Sequence, residues 1–139
     1  MVQFGSHQDA WYLTTDPESL MLAFVPLDDT DVDNGCLEVL PGSHKAPLTV
    51  RMYMTDQGFV PRAKEKDPAV RRLETLPTTP VPLERGSVLF VHGRTFHASR
   101  PNTSDRPRRA LIVHCMSATS RFEPDCWIQE PPGGFEVVA

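Results

Sequence analysis

The chain has 139 residues and a mass of 15.6 kDa, which suits one compact core and is too little for two. A formal charge of -4 and a pI near 5.7 supply no basic footprint for nucleic acid, and no apolar run approaches the length of a membrane span. Cys36, Cys115 and Cys126 are odd in number and form no CxxC pair, which argues against a disulfide framework or a structural zinc and fits a reducing, cytoplasmic setting.

Taken in chain order, the first pattern is His7-Gln8-Asp9. Side chains two apart on an extended segment point the same way, so His7 and Asp9 can both turn inward while Gln8 turns away. A strand is expected from Ser19 to Pro26. The acidic stretch Asp28 to Gly35 ends in Asn-Gly and reads as a loop, followed by a strand from Cys36 to Leu40 that Pro41-Gly42-Ser43 stops. Thr49 to Met54 is a weaker strand candidate. Residues 46–80 are the least strand-like part, and Asp67 to Leu73 could form one short helix with Asp67 at its N-cap and Pro68 at N1. Arg51, Arg62, Lys64, Lys66, Arg71 and Arg72 in that stretch are interspersed with Asp56, Glu65, Asp67 and Glu74. The mixture favours a solvated loop over an anion-binding lid.

Pro80 to Leu83 is another weak strand, and Gly86 to Val91 is a strong one that runs into a turn at Gly93 and delivers His97. Pro101 to Pro107 is a loop rich in Asn, Ser, Thr, Asp and Pro. Arg109 to Ser117 is the last strong strand, and Cys126 to Gln129 a weak one. Short pieces rich in Val, Leu, Ile and Phe, cut by 14 prolines and 8 glycines, indicate an all-β sandwich or barrel.

Two imidazoles and one carboxylate form the ligand set that holds Fe(II) on one face and leaves the opposite positions open. His7 and Asp9 supply two of the three. His97 is the favoured third ligand, with His92 as a competitor in the same segment. Alternation along the last strong strand puts Arg108, Ala110, Ile112 and His114 on one face and Arg109, Leu111, Val113 and Cys115 on the other, so only one arginine can face the interior. An inward arginine would grip a carboxylate through its planar fork. His44 and His114 read as structural.

Three segments carry a family resemblance: His7-Gln8-Asp9-Ala10-Trp11-Tyr12, then Asn34 to Lys45 (NGCLEVLPGSHK), then Gly86 to Asn102 with Arg108. Together they resemble the phytanoyl-CoA dioxygenase family of Fe(II)/2-oxoglutarate-dependent oxygenases. The resemblance implies a double-stranded β-helix, or cupin-like jelly roll, spanning residues 1–139. It implies iron held by His7, Asp9 and His97, with Arg108 on the distal carboxylate of 2-oxoglutarate and Ser99 assisting it. Phe24 falls where relatives carry an aromatic beside the cosubstrate, and Tyr12 matches an aromatic that follows the metal pair and would meet substrate. Dioxygen completes the cofactor set, and a small organic molecule is the expected substrate. Asp9 sits where related halogenases carry a small residue, so hydroxylation, desaturation or cyclisation is expected instead.

Relatives place further helical and stranded structure before the H-x-D pair, whereas this chain begins six residues ahead of it. An incomplete N-terminal side would leave a sheet edge and an apolar face exposed, which predicts a homo-oligomer or a partner chain completing the fold. It also leaves a rival reading, a jelly-roll remnant that binds metal without turning over. A cupin-like metal isomerase or dioxygenase with another ligand set is the second rival.

Overall fold

A computed structural model describes residues 4–48, 50–61, 72, 73, 75–124, 126, 128 and 130–134. The strands are β1 (Phe4–His7), β2 (Thr15–Asp16), β3 (Met21–Pro26), β4 (Leu37–Val39), β5 (Met52–Thr55), β6 (Gly58–Pro61), β7 (Thr79–Pro80), β8 (Leu89–His92), β9 (His97–Ser99), β10 (Ala110–Cys115) and β11 (Arg121–Phe122). Short 3-10 turns at Asp9–Trp11 and Ser43–Lys45 interrupt them. Each strong strand expected from the sequence is present but one to three residues shorter at an end. The weak candidate at Thr49 to Met54 overlaps β5, which pairs with β6 as a hairpin. The expected strand at Pro80 to Leu83 is reduced to β7 and a single bridge between Leu83 and Thr30. Of the expected helix Asp67 to Leu73, only residues 72 and 73 are described, and both are helical. Asp67 and Pro68, the basic residues Arg62, Lys64, Lys66 and Arg71, and much of the Cys126 to Gln129 candidate lie outside the described residues. Among the described residues no helix is long and apolar enough to cross a membrane.

The chain alternates between two antiparallel sheets. One has the strand order β1-β9-β4-β7 and the other β10-β3-β8. They pack face to face, because Leu22 and Phe24 of β3 and Val91 of β8 share a buried cluster with Leu37 of β4. This is the jelly-roll arrangement, and it follows from blocks of apolar residues too short for helices and separated by turn-forming residues. The register Leu22↔Val91 and Leu22↔His114 places those side chains on the inner face with Phe24 and Ile112.

The other face of the three-stranded sheet is also apolar. Phe90, Leu111 and Val113 are 64%, 53% and 42% exposed there. Ile112 is 55% exposed although it shares the inner face with Phe24, so the interior is open along β10.

A second cluster, of Trp11, Val50 and Phe96, lies beneath the site-bearing strands. Phe96 is fully buried, its ring meets that of Trp11 edge-on at 5.6 Å, and it immediately precedes His97. Phe96→Ala is expected to cost about 3–5 kcal/mol in denaturant unfolding, the range for an aromatic removed from a closed core. A loss below about 1 kcal/mol would show that this cluster does not hold β9 in place.

Candidate active site

Local geometry brings the ligand set together. β1 ends at His7, Gln8 continues the extended path with φ -116° and ψ 132°, and Asp9 opens a 3-10 turn. Extended backbone at Gln8 keeps His7 and Asp9 on one side. Gln8 turns to the other side, as expected, but into the core and not into solvent. It is fully buried, donates from Nε2 to the Arg94 carbonyl at 2.5 Å and accepts the Trp11 indole N–H at 2.6 Å. With the Ala10 N–H on the Gly93 carbonyl at 2.9 Å, these bonds tie the His7-Gln8-Asp9 segment to the turn before His97.

β9 then pairs with β1 in a register that sets His7 opposite His97. The approach to His97 is anchored a second time. Ser43 Oγ donates to the Leu40 carbonyl at 2.7 Å and accepts the Phe96 N–H at 2.9 Å. That pair of bonds is the physical content of the Leu40-Pro41-Gly42-Ser43 motif.

His7, Asp9 and His97 each offer a ligand atom, and the three atoms lie within 4.8 Å of one another. His7 Nε2 and His97 Nε2 are each 3.5 Å from Asp9 Oδ1, and the two imidazole centroids are 4.3 Å apart. His7 Nδ1 donates to the Gly5 carbonyl at 2.8 Å, and His97 Nδ1 to the Thr95 carbonyl at 3.0 Å. A carbonyl only accepts, so Nδ1 carries a proton in either ring and Nε2 is the atom turned to the Asp9 carboxylate, donating to it when the ring is charged and free to ligate a cation when the ring is neutral. Metal-binding histidines are oriented by the same kind of partner.

Electrostatics point the same way. Burial pushes the Asp9 carboxyl up, but hydrogen bonds from His114, His7 and His97 outweigh it and hold the group well below the usual carboxylate range. Burial pushes the His97 imidazole down, yet its bond to Asp9 and the Asp9 charge leave it raised overall. Both shifts express a buried negative charge that attracts a cation at this point.

The remaining residues singled out from the sequence divide clearly. His92 is excluded from the triad by direction. It lies in β8 opposite Met21, one residue out of phase with the inward Val91, and its Nδ1 accepts the Arg94 N–H at 3.1 Å. Its ring stacks obliquely on His44 at 5.6 Å, which gives His44 a structural place. Arg108, two residues before β10, is half-buried, shares the alternation phase of Ala110 and Ile112, and makes no ion pair among the described residues. Arg109 is turned away, with Nε and Nη2 on the Asp28 carboxylate at 3.0 and 2.7 Å and its backbone N–H on the same group at 2.8 Å. Those contacts hold the Asp28 carboxyl down to about 2.

Ser99 is 4% exposed, in phase with His97, and its Oγ has no hydrogen-bond partner among the described residues. A buried hydroxyl with no protein partner is costly and points to a ligand that would satisfy it. Phe24 is 2% exposed and packs in the core cluster with Leu22, Leu37 and Val91. Tyr12 is half-buried, its ring edge-on to His7 at 6.1 Å, and it lines a cleft of about 410 Å³ with Phe4, Gly5, Ser6, His7 and Trp11.

Two positions acquire a meaning that sequence reading missed. Asn34 is fully buried and donates from Nδ2 to the carbonyls of Asp29 and Pro107, at 2.8 and 3.3 Å, so it holds the chain just ahead of Arg108. His114, read as structural, instead reaches Asp9 Oδ2 from Nε2 at 3.1 Å. Strand alternation places it inward with Arg108; nothing in the sequence shows which group it meets.

Comparison with known proteins agrees with this geometry. A family model described as phytanoyl-CoA dioxygenase (PhyH) matches residues 2–110. Phytanoyl-CoA dioxygenase domain-containing protein 1 of Bos taurus is 38% identical over 132 residues, covering 94% of this chain and 45% of that protein. Its Danio rerio counterpart is 35% identical over 131 residues, covering 88% and 43%. The chain therefore spans less than half the length of these relatives. Among solved structures, the epimerase SnoN in complex with Fe3+, alpha ketoglutarate and nogalamycin RO superposes with a TM-score of 0.70 at 27% identity, covering 99% of this chain and 52% of that one. The non-heme alpha ketoglutarate dependent carbocyclase SnoK gives a TM-score of 0.70 at 29% identity, covering 91% and 47%. The cofactors that fit the site are Fe(II) and 2-oxoglutarate, with dioxygen as co-substrate.

Proposed function

The chain belongs to the phytanoyl-CoA dioxygenase family, and from that premise we propose that it is a 2-oxoglutarate-dependent non-haem iron oxygenase acting on a small organic molecule. The observation that carries this reading is the convergence of His7 Nε2, His97 Nε2 and Asp9 Oδ1 at the end of paired strands, with the imidazole Nδ1 atoms already occupied by backbone carbonyls.

Bound iron with 2-oxoglutarate and dioxygen supplies an oxidant able to attack an unactivated C–H bond, with release of succinate and carbon dioxide. The chain's own residues do the positioning. His7, Asp9 and His97 would hold the metal, two imidazoles and one carboxylate being a donor set that suits Fe(II). Arg108, which makes no ion pair among the described residues, receives the distal carboxylate of 2-oxoglutarate, and the Ser99 hydroxyl, unpartnered among the described residues, donates to it. Phe24 forms apolar wall beside that carboxylate. Tyr12 and the cleft next to His7 receive the substrate. Because Asp9 is a carboxylate and not a small residue, it would itself serve as a metal ligand, which favours hydroxylation, desaturation or cyclisation over halogenation.

Anaerobic addition of Fe(II) and 2-oxoglutarate to the folded chain is expected to produce a visible charge-transfer band, absent from His97→Ala. Admission of oxygen should release succinate. If the folded protein gives neither band nor succinate, the oxygenase reading fails. The half-exposed Ile112 on the inner face supports a second reading, a site too open to water for turnover. That reading predicts the band without succinate.

A further inference from the structure

Each of the three ligand residues has a second polar atom directed away from the metal position. For His7 and His97 that atom is Nδ1, and the carbonyl two residues upstream accepts its proton. For Asp9 it is Oδ2, and among the described residues no backbone group serves. The partner is His114, brought from β10 of the opposite sheet, with Nε2 at 3.1 Å.

We propose that His114 is the positioning residue of the metal-binding carboxylate, donating its Nε2–H to Asp9 Oδ2 so that Oδ1 is presented beside His7 Nε2 and His97 Nε2. This rests on the oxygenase reading of the triad and adds a residue to which no role in it was assigned.

The geometry separates this role from direct ligation. Asp9 Oδ1 is 3.5 Å from each of His7 and His97, whereas His114 addresses the other oxygen, and it does not belong to the group of converging ligand atoms. A carboxylate attached through one flexible Cβ–Cγ bond can rotate and can exchange its oxygens. A donor fixed on Oδ2 stops both motions, and a hydrogen bond to an ionised acceptor is among the stronger ones available. His114 can act in this way because β10 pairs with β3 in a register that puts it opposite Leu22 and in phase with Ala110 and Ile112. The segment that enters β10 two residues after Arg108 thus reaches Asp9 through His114.

The test compares His114→Leu, which keeps a side chain of similar bulk and removes the donor, with His114→Gln, whose amide can donate to Oδ2. Co(II) is titrated into each folded protein under argon, and its d–d absorption reports affinity and coordination, with denaturant unfolding of the metal-free proteins run alongside. The expected result is Co(II) affinity about 10–100-fold weaker in His114→Leu, substantially restored in His114→Gln, with an altered d–d envelope in the former. Equal Co(II) affinity in wild type and His114→Leu would overturn the positioning role while leaving the metal site standing. Loss that His114→Gln does not restore would overturn it in favour of direct ligation. A wild type that binds no Co(II) would remove the oxygenase reading itself, and this inference with it.

Discussion

Arg108→Ala is expected to weaken 2-oxoglutarate binding by roughly 30-fold or more while Fe(II) binding persists. Removing one partner of a desolvated, hydrogen-bonded charge pair costs about 2–5 kcal/mol, and each 1.4 kcal/mol is a factor of ten. The adjacent arginine supplies the control. Arg109 is committed to Asp28 through two side-chain bonds at 3.0 and 2.7 Å, so Arg109→Ala should leave cosubstrate affinity within about twofold of wild type. Arg108→Lys should recover only part of the loss, because an ammonium cannot make the two parallel bonds of a guanidinium. Titration of the anaerobic Fe(II) protein with 2-oxoglutarate, followed through the charge-transfer band, measures all three. The inverse pattern, with Arg109→Ala impaired and Arg108→Ala normal, would mean that β10 sits one residue out of register.

Gly35→Ala is expected to destabilise the fold by about 2–4 kcal/mol and to lower metal affinity in parallel. Gly35 has φ +79°, where an L side chain is strained by about 1–2 kcal/mol, and a Cβ there would lie 2.4 Å from the Arg100 carbonyl oxygen. Arg100 directly follows β9, so relief of the clash moves the strand that carries His97 and Ser99. Denaturant unfolding gives the stability term and Co(II) titration the site term. An unchanged metal affinity in a destabilised but folded protein would show that β9 is held by Ser43 and the Trp11–Phe96 cluster alone.

Part of the site is legible in the amino-acid sequence, and the reason differs residue by residue. His7 and Asp9 are readable because two-residue periodicity belongs to the backbone itself, and Gln8 is extended as that reading requires. Arg108 over Arg109 follows from the same alternation once the strand is placed, although the Asp28 partner that diverts Arg109 lies 81 residues away. His97 and His92 cannot be separated by spacing. The turn at Gly93 intervenes, and the phase on either side of it depends on pairing with β1 and β3.

Chain-local information therefore determined the all-β character, the strand blocks, the H-x-D pair and the rule that only one of Arg108 and Arg109 can face inward, since all of these arise from propensity and periodicity within a few residues. The tertiary structure alone decided that His97 and not His92 completes the triad, that Ser99 is buried without a partner among the described residues, and that His114 meets Asp9 across 105 residues of sequence. Each of those depends on which strands pair and in what register. A one-residue slip reverses every side chain, and packing of the whole domain selects the register.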